Sequence, residues 1–274
     1  MSPRLHPPSN APGYEQRFVA GVLTDALSQG GGVYAIAGLQ GTGKSTLSRQ
    51  LVAAARTRGV HAVALSIDDF YLGHRERQRL GRHVHPLLAT RGPPGTHDVA
   101  LACEVLDRLA GGLPARLPRF DKIADRRLPP SRWPRADTAD LVLFEGWFLK
   151  VPPQAQAALA TPLNRLERDE DPHGIWRRHC NEALARDYPA LWSRLPRLVF
   201  LQGPGFDVVP DWRWQQERTL QAAHPRRSAM SRAQVERFVQ FFERVSRHAL
   251  RALPHIAQRT IALDAQRRPP RLDD

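Results

Sequence analysis

The chain reads as one α/β domain built on a doubly wound parallel sheet, and three observations predict it. Five short apolar runs alternate with longer segments of helical period. A glycine turn, Gly38-Leu39-Gln40-Gly41-Thr42-Gly43-Lys44-Ser45-Thr46, joins the first run to the helical segment after it. The second and third runs end on acids, Asp68-Asp69 and Glu145. Strands that alternate with helices pair in parallel with the helices on both faces, and such sheets carry their chemistry at the carboxyl ends of the strands.

The elements follow in order. Residues 14–29 carry Phe18, Val22 and Leu27 on one helical face and stop at Gly30-Gly31-Gly32. Val33-Tyr34-Ala35-Ile36-Ala37 is a buried strand, and residues 46–58 are a helix with Leu47, Leu51, Ala54 and Ala55 on its stripe. Residues 61–67 are a second strand that runs into Asp68-Asp69-Phe70-Tyr71. Residues 80–98 read as one long polar loop with rigid Pro and Gly punctuation. Its His85, Arg91, His97 and Asp98 mark it as a binding loop. Residues 99–109 are a helix stopped by Gly111-Gly112, and Leu141-Val142-Leu143-Phe144 is the third strand. Residues 163–188 are charged and helical, and residues 197–201 are the fourth strand. Trp212, Trp214 and Leu220 share a further helix. The capping box Ser231-Arg232-Ala233-Gln234 opens a long one, with Val235, Phe238, Val239, Phe242 and Val245 as its core stripe. Thr260-Ile261-Ala262-Leu263 is the fifth strand. The Pro-rich residues 1–12 are expected to be disordered, residues 13–266 to form the domain, and residues 267–274 to fray.

Composition excludes several classes. With 274 residues, 42% of them hydrophobic, the chain can bury a sizeable core. No apolar run approaches the ~18 residues of a membrane span, and the first residues lack a signal core. Cys103 and Cys180 are too few for a disulfide framework, and Cys103 shares a helical face with Val99 and Leu106. A cytoplasmic protein with no membrane contact is expected. The formal charge of +13 comes from basic residues spread along the whole chain. Of forty basic residues, just Lys44, Lys122 and Lys150 are lysines, which reads as compositional drift toward Arg rather than as a nucleic-acid face. The retained lysines matter more, because Lys and Arg are not interchangeable at a compact phosphate site.

The glycine turn carries the chemistry. Gly, four residues, then Gly-Lys-Ser is a P-loop, here flanked by the strand and helix it requires. Backbone N–H groups and the helix dipole converge on a triphosphate. Gly38, Gln40, Gly41, Thr42, Gly43, Lys44, Ser45 and Thr46 are the ATP-binding candidates, with Lys44 at the β/γ-phosphates and the Ser45 hydroxyl on Mg²⁺. Glu145, an acid after an apolar strand, has the form of the second P-loop motif, which holds Mg²⁺ directly or through water. Of Asp68 and Asp69, strand alternation sets Asp68 on the Ser66 side and Asp69 with apolar Ile67. Asp68 is therefore the candidate base or Mg²⁺ ligand, and Asp69 the packing residue.

With these residues placed, the chain resembles the P-loop kinases of small molecules that include uridine kinase, phosphoribulokinase and bacterial pantothenate kinase. Within that group it is most similar to the D-glycerate 3-kinase family. The matching stretches include Ser66-Ile67-Asp68-Asp69-Phe70-Tyr71-Leu72, His85-Pro86-Leu87-Leu88, Arg91-Gly92 with Pro94-Gly95-Thr96-His97-Asp98, Asp121-Lys122 with Asp125-Arg126, and Phe144-Glu145-Gly146-Trp147-Phe148. They span residues 33–265. Residues 122–125 form a short segment where other members carry a glycine-rich insertion. The resemblance implies a five-stranded parallel sheet of order 2-3-1-4-5 and transfer of the ATP γ-phosphoryl group to a hydroxyl of a small molecule. It implies Lys44 and Asp68 in catalysis and Ser45, Asp68 and Glu145 as magnesium positions. Tyr71, His85, Arg91, His97, Asp98, Asp121, Lys122 and Arg126 would face the acceptor. A helical lid at about 163–188 would bring Arg168, Arg177 and Arg178. The expected acceptor is D-glycerate, giving 3-phosphoglycerate, in a monomer or homodimer without a nucleic-acid partner. A uridine- or pantothenate-type kinase is the alternative, with Phe120 and Tyr71 available for stacking. A P-loop ATPase without kinase activity comes after it, because the long loop after strand two suits a small-molecule pocket better than a switch.

Overall fold

The computed structural model describes residues 13–28, 30–223 and 229–270. The disorder expected of residues 1–12 lies outside the described residues, as do residues 271–274 at the end of the segment expected to fray. Five strands form one sheet: β1 (Gly32–Gly38), β2 (Ala62–Ser66), β3 (Leu141–Gly146), β4 (Arg197–Gln202) and β5 (Arg259–Ala262). They lie in the order β2-β3-β1-β4-β5, every neighbouring pair parallel.

Side chains alternate across a strand, so a sheet covered on both faces needs apolar residues at every position. In β1, Val33, Ala35 and Ala37 pack into one core and Tyr34 and Ile36 into the other. The second core is closed by α1 (Gln16–Leu27) and α2 (Lys44–Thr57), through Phe18, Val22, Leu47 and Leu51. The first is closed by α4 (Val99–Ala110), α6 (Ile175–Arg186), α7 (Pro189–Trp192) and α9 (Arg232–Ala252), through Leu106, Leu184, Leu191 and Phe242. Each such side chain contributes about 1.5–3 kcal/mol by leaving water. At the start of α9 both bonds of the capping box are made: Gln234 N donates to Ser231 Oγ (3.3 Å) and Ser231 N to Gln234 Oε1 (2.8 Å).

The polar stretch after β2 differs from the single loop expected at 80–98. A helix, α3 (His74–His83), runs into it, and Pro86–Ala89 is a 3-10 turn. The sequence of α3, His-Arg-Glu-Arg-Gln-Arg-Leu-Gly-Arg-His, has no apolar stripe, and Arg77 is its one buried residue. Two short antiparallel pairs follow α4: Ala115–Arg116 with Arg135–Ala136, and the hairpin Phe120–Asp121 with Arg126–Arg127. Residues 163–188 divide into α5 (Arg165–Glu170) and α6. α5 is bound to α9 by a buried ion pair in which Arg244 Nη2 and Nε donate to Glu167 at 2.6 and 2.7 Å. Removing one partner of such a pair leaves an uncompensated buried charge, at a cost of roughly 3–5 kcal/mol. α8 (Val209–Ala223) brings Trp212 beneath the glycine turn. Among the described residues no helix is long and apolar enough to cross a membrane.

Candidate active site

The carboxyl end of β1 delivers the glycine turn to the edge of the sheet. Gly41 and Gly43 have φ of 88° and 89°, where a side chain is strained, and a Cβ on Gly41 would stand 2.6 Å from Trp212 Cβ. Gly43 is the N-cap of α2, so the first N–H groups of that helix open onto the turn. Lys44 is buried and donates to Leu39 O (2.9 Å), as does Thr42 Oγ1 (2.9 Å). Burial pushes the Lys44 ammonium down, against the opposing pull of the Glu145 and Asp68 carboxylates. Gln40 is half-buried, and its Oε1 and Nε2 lie out of solvent without a hydrogen-bond partner. Thr46 is buried and accepts from Arg49 Nη2 (3.4 Å).

Two residues clamp the turn from outside, and the sequence signals neither. Tyr14 Oη donates to Thr42 O, and Arg267 Nε donates to Gly41 O (2.6 Å) while its guanidinium stacks over Trp212 at 4.9 Å. Arg267 heads the segment expected to fray, and these contacts bind it to the domain instead. Between the clamps opens a cavity of about 570 Å³ whose wall includes Tyr14, Thr42, Gly43, Thr46 and Arg267.

The carboxylates arrive from the neighbouring strands. Glu145 stands opposite Ile36 in the β1–β3 register, and Ser45 Oγ donates to its Oε1 (2.8 Å). β2 stops at Ser66, whose hydroxyl accepts from Asp68 N (3.3 Å) and caps the 3-10 turn Ile67–Phe70. Strand alternation therefore ends before the two acids, and the turn sorts them instead. Asp69 points inward, accepting from Arg119 Nη1 (3.2 Å) and Phe120 N (3.1 Å). Burial raises its carboxyl to about 6 against the pull of Arg119. Asp68 accepts from Tyr71 Oη at Oδ1 (2.7 Å) and from Lys122 Nζ at Oδ2 (2.6 Å). Burial opposes its charge, but the Lys122 ammonium and the hydrogen bonds from Lys122 and Tyr71 hold the carboxyl well below the usual range.

Around Asp68 stands a wall of rings. Tyr71 packs on His97 at 4.7 Å and edge-on to Phe120 at 5.2 Å. Tyr188 Oη accepts from Gly95 N (3.1 Å) and shares a hydrogen bond with His97 Nδ1 (2.7 Å). Burial lowers His97 to about 3, with Asp68 pulling the other way, so the ring is neutral. Arg91 Nη1 donates to Asp125 and its Nη2 to Lys122 O (3.1 Å), with the guanidinium 5.7 Å from the Phe120 ring.

Several residues expected at the acceptor are committed elsewhere. His85 caps the 3-10 turn by accepting from Leu87 N (3.3 Å), with Nε2 3.8 Å from Asp171. Asp98 caps α4 through Leu101 N (3.1 Å) and pairs with Arg127 (2.7 Å). Asp121 closes its own turn by accepting from Ile123 N and Ala124 N. Arg126 is exposed on the hairpin opposite Asp121. The lid arginines do not converge on the P-loop. Arg177 is buried and spends its guanidinium on Asp171, Leu159 O and Ala160 O. Arg178 donates to His173 O, and Arg168 lies exposed 3.5 Å from Asp169. A charge run fixes helix position but not which way each guanidinium turns.

The sheet order, the glycine turn at β1 and the acids at the ends of β2 and β3 define a P-loop kinase. No family model matches the chain. Over 203 residues it is 34% identical to an uncharacterized kinase, mug58, of Schizosaccharomyces pombe, a match that covers 69% of this chain and 71% of that protein. It is 36% identical over 126 residues to a chloroplastic D-glycerate 3-kinase of Arabidopsis thaliana, covering 42% of this chain and 27% of that protein. Among solved structures, a D-glycerate 3-kinase from Cryptococcus neoformans shares the fold with a TM-score of 0.72, covering 92% of this chain and 95% of that one at 24% identity. The chain belongs to the D-glycerate 3-kinase-like family of P-loop kinases, ATP-dependent enzymes of small-molecule phosphorylation.

Proposed function

We propose that the protein transfers the γ-phosphoryl group of ATP to a hydroxyl of D-glycerate, giving 3-phosphoglycerate. The observation that carries this is the pairing of Lys122 with Asp68 at 2.6 Å, beside the P-loop lysine whose charge both Asp68 and Glu145 influence. A hydroxy acid needs a cation for its carboxylate and an acceptor for its hydroxyl, and Lys122 and Asp68 offer the two side by side. Lys122 is more than half exposed and has further N–H donors to give. A nucleoside would need an open aromatic face, and Phe120 and Tyr71 are both buried against each other and against His97 and Arg91. That favours the acid over the nucleoside.

In this reading the P-loop amides and Lys44 hold the phosphates in line with the acceptor oxygen. Asp68 accepts the hydroxyl's hydrogen bond, orients the oxygen, and takes the proton as the bond to phosphorus forms. Phosphoryl transfer runs through a loose transition state, so positioning matters more than base strength. A carboxyl held low by Lys122 and Tyr71 suits that orienting role. The Ser45 and Glu145 oxygens fit Mg²⁺: both are hard donors, and their 2.8 Å separation matches the roughly 2.9 Å between adjacent ligands of an octahedral cation at about 2.0–2.1 Å. Among the described residues no three His, Cys, Asp or Glu side chains form a metal cage, as suits a cation that takes most ligands from phosphate and water. Held there, Mg²⁺ would supply neutralisation of the charge that develops on the phosphates. The cavity between Tyr14 and Arg267, continuous with Gly43 and Thr46, is the nucleobase and ribose site in this account. Cys103 and Cys180, both buried free thiols, accord with a reducing cytoplasm, where the enzyme works as a monomer or homodimer.

The test is an ADP-release screen of purified protein with Mg·ATP against D-glycerate, L-glycerate, uridine and pantothenate. D-Glycerate is expected to give the highest kcat/KM; faster turnover of uridine or pantothenate would overturn the assignment.

A further inference from the structure

We propose that Asp125 is a positioning residue that latches the 120–127 hairpin, and so fixes the Lys122 ammonium where the carboxylate of an anionic acceptor meets it. The inference rests on the acceptor reading above and goes beyond it by naming what sets the acceptor-side cation. Asp125 lies at the end of the hairpin's turn with φ of 51°. Its carboxylate accepts from Arg77 Nη2 (2.7 Å) and Arg91 Nη1 (2.5 Å), and His74 Nδ1 lies 3.3 Å away. Its carbonyl accepts from Arg77 Nη2 as well (3.3 Å). One residue thus joins α3, the loop after the 3-10 turn and the hairpin.

Each partner is fixed from behind. Arg77 is 1% exposed, and its other nitrogens are spent on Leu72 O (3.1 Å) and Ala89 O (3.0 Å). Its direction is therefore set before the hairpin arrives. Arg91 uses its fork twice, one amino group on Asp125 and the other on Lys122 O (3.1 Å), so it pins the backbone of the residue that carries the ammonium. The two guanidiniums lie 6.0 and 5.7 Å from the Phe120 ring. Lys122 Nζ on Asp68 (2.6 Å) is the tip's other ionic anchor. Ile123 is 74% exposed, and Asp121 is used inside the turn. Ionic contacts, with Asp125 placing the backbone and Asp68 meeting the ammonium, and not apolar burial, decide where Lys122 stands. They also give Arg91 a role distinct from the one its sequence position implies: it holds Lys122 rather than binding the acceptor directly.

Asn tolerates a left-handed backbone, so Asp125→Asn keeps the turn and removes the charge. Arg91→Lys keeps the charge and removes the fork. Two readouts apply to both variants of the full chain. Trypsin cleavage after Lys122 or Arg126 under native conditions is expected to run at least tenfold faster than in the parent at matched melting temperature. With D-glycerate as the probe, the acceptor KM is expected to rise at least tenfold, and the ATP KM to stay within twofold. Unchanged cleavage in both variants would overturn the latch. Faster cleavage with an unchanged acceptor KM would overturn its link to the acceptor. The cleavage readout needs no turnover, so if D-glycerate proves not to be the acceptor, it still decides whether Asp125 holds the hairpin.

Discussion

The nucleotide side and the acceptor side of this site are assembled in opposite ways. The phosphate cradle is nearly contiguous: Gly38 to Thr46 supply the glycines, the lysine, the hydroxyls and a helix N-terminus, and Lys44 reaches back five residues to Leu39. The acceptor side is assembled across the chain. Lys122 meets Asp68, Arg77 meets Asp125 and His97 meets Tyr188 over separations of 54, 48 and 91 residues. A contiguous cradle changes little when the rest of the chain drifts. An assembled one changes whenever any supporting element moves, which is a physical route by which one phosphate machine can take different acceptors.

The sharpest break in that comparison is Lys44→Ala. Loss of a preorganised charge at the transferring phosphates is expected to lower kcat on the order of 10³-fold with the fold intact, since such donors contribute about 3–4 kcal/mol. Circular dichroism together with single-turnover rates checks it; a near-parental kcat would remove Lys44 from the chemistry.

Next comes the adjacent pair of acids. Asp68→Asn is expected to lower kcat by roughly 10²–10⁴ with ATP affinity retained, the usual worth of a positioned proton acceptor. Asp69→Asn should leave kcat within about tenfold and act on stability, because Asp69 joins the 3-10 turn to Arg119 and Phe120 N. The sign of its pH dependence follows from its raised carboxyl. A buried acid held at about 6 favours the protonated fold, so its contribution is full below about pH 4 and is lost as pH rises through 6. Relative to Asp69→Asn, the parent should therefore be more stable at pH 4.5 than at pH 7.5 in urea midpoints; the opposite trend would place Asp69 as an ionised partner of Arg119.

Glu145→Gln is expected to raise the Mg²⁺ concentration for half-maximal rate severalfold, in line with loss of one of the few protein oxygens on the cation, and to change the ATP KM less. Overlapping metal titrations would leave Glu145 as a strand-end acid that bonds Ser45. The smallest effect belongs to Arg267→Ala, which opens one clamp of the glycine turn. A rise of about tenfold or less in the ATP KM is expected, with the acceptor KM unchanged, because one hydrogen bond and one stacking contact are lost.

The same contrast explains what the sequence could say. The cradle was legible because spacing and flanks lie in one stretch. Glu145 was legible because an acid after an apolar strand has few alternatives at a sheet edge. The side taken by Asp68 agrees with strand alternation, but the cause is the cap at Ser66 and the turn behind it. Helix α3 left no apolar stripe to read, and Asp125 gains its meaning from guanidiniums 34 and 48 residues away. Arg177 shows the converse: its place in a charged helix was visible, but the carbonyls of Leu159 and Ala160 that claim it were not.

If Asp68 and Lys122 present a hydroxy acid to the P-loop, the product itself reports it most directly. Phosphorus NMR of the mixture from Mg·ATP, D-glycerate and purified protein should show the 3-phosphoglycerate resonance growing in step with ADP, at a rate that falls in Lys122→Ala mainly through a higher acceptor KM. Formation of ADP and inorganic phosphate alone, or a phosphoglycerate signal whose dependence on D-glycerate concentration is the same with and without Lys122, would contradict it.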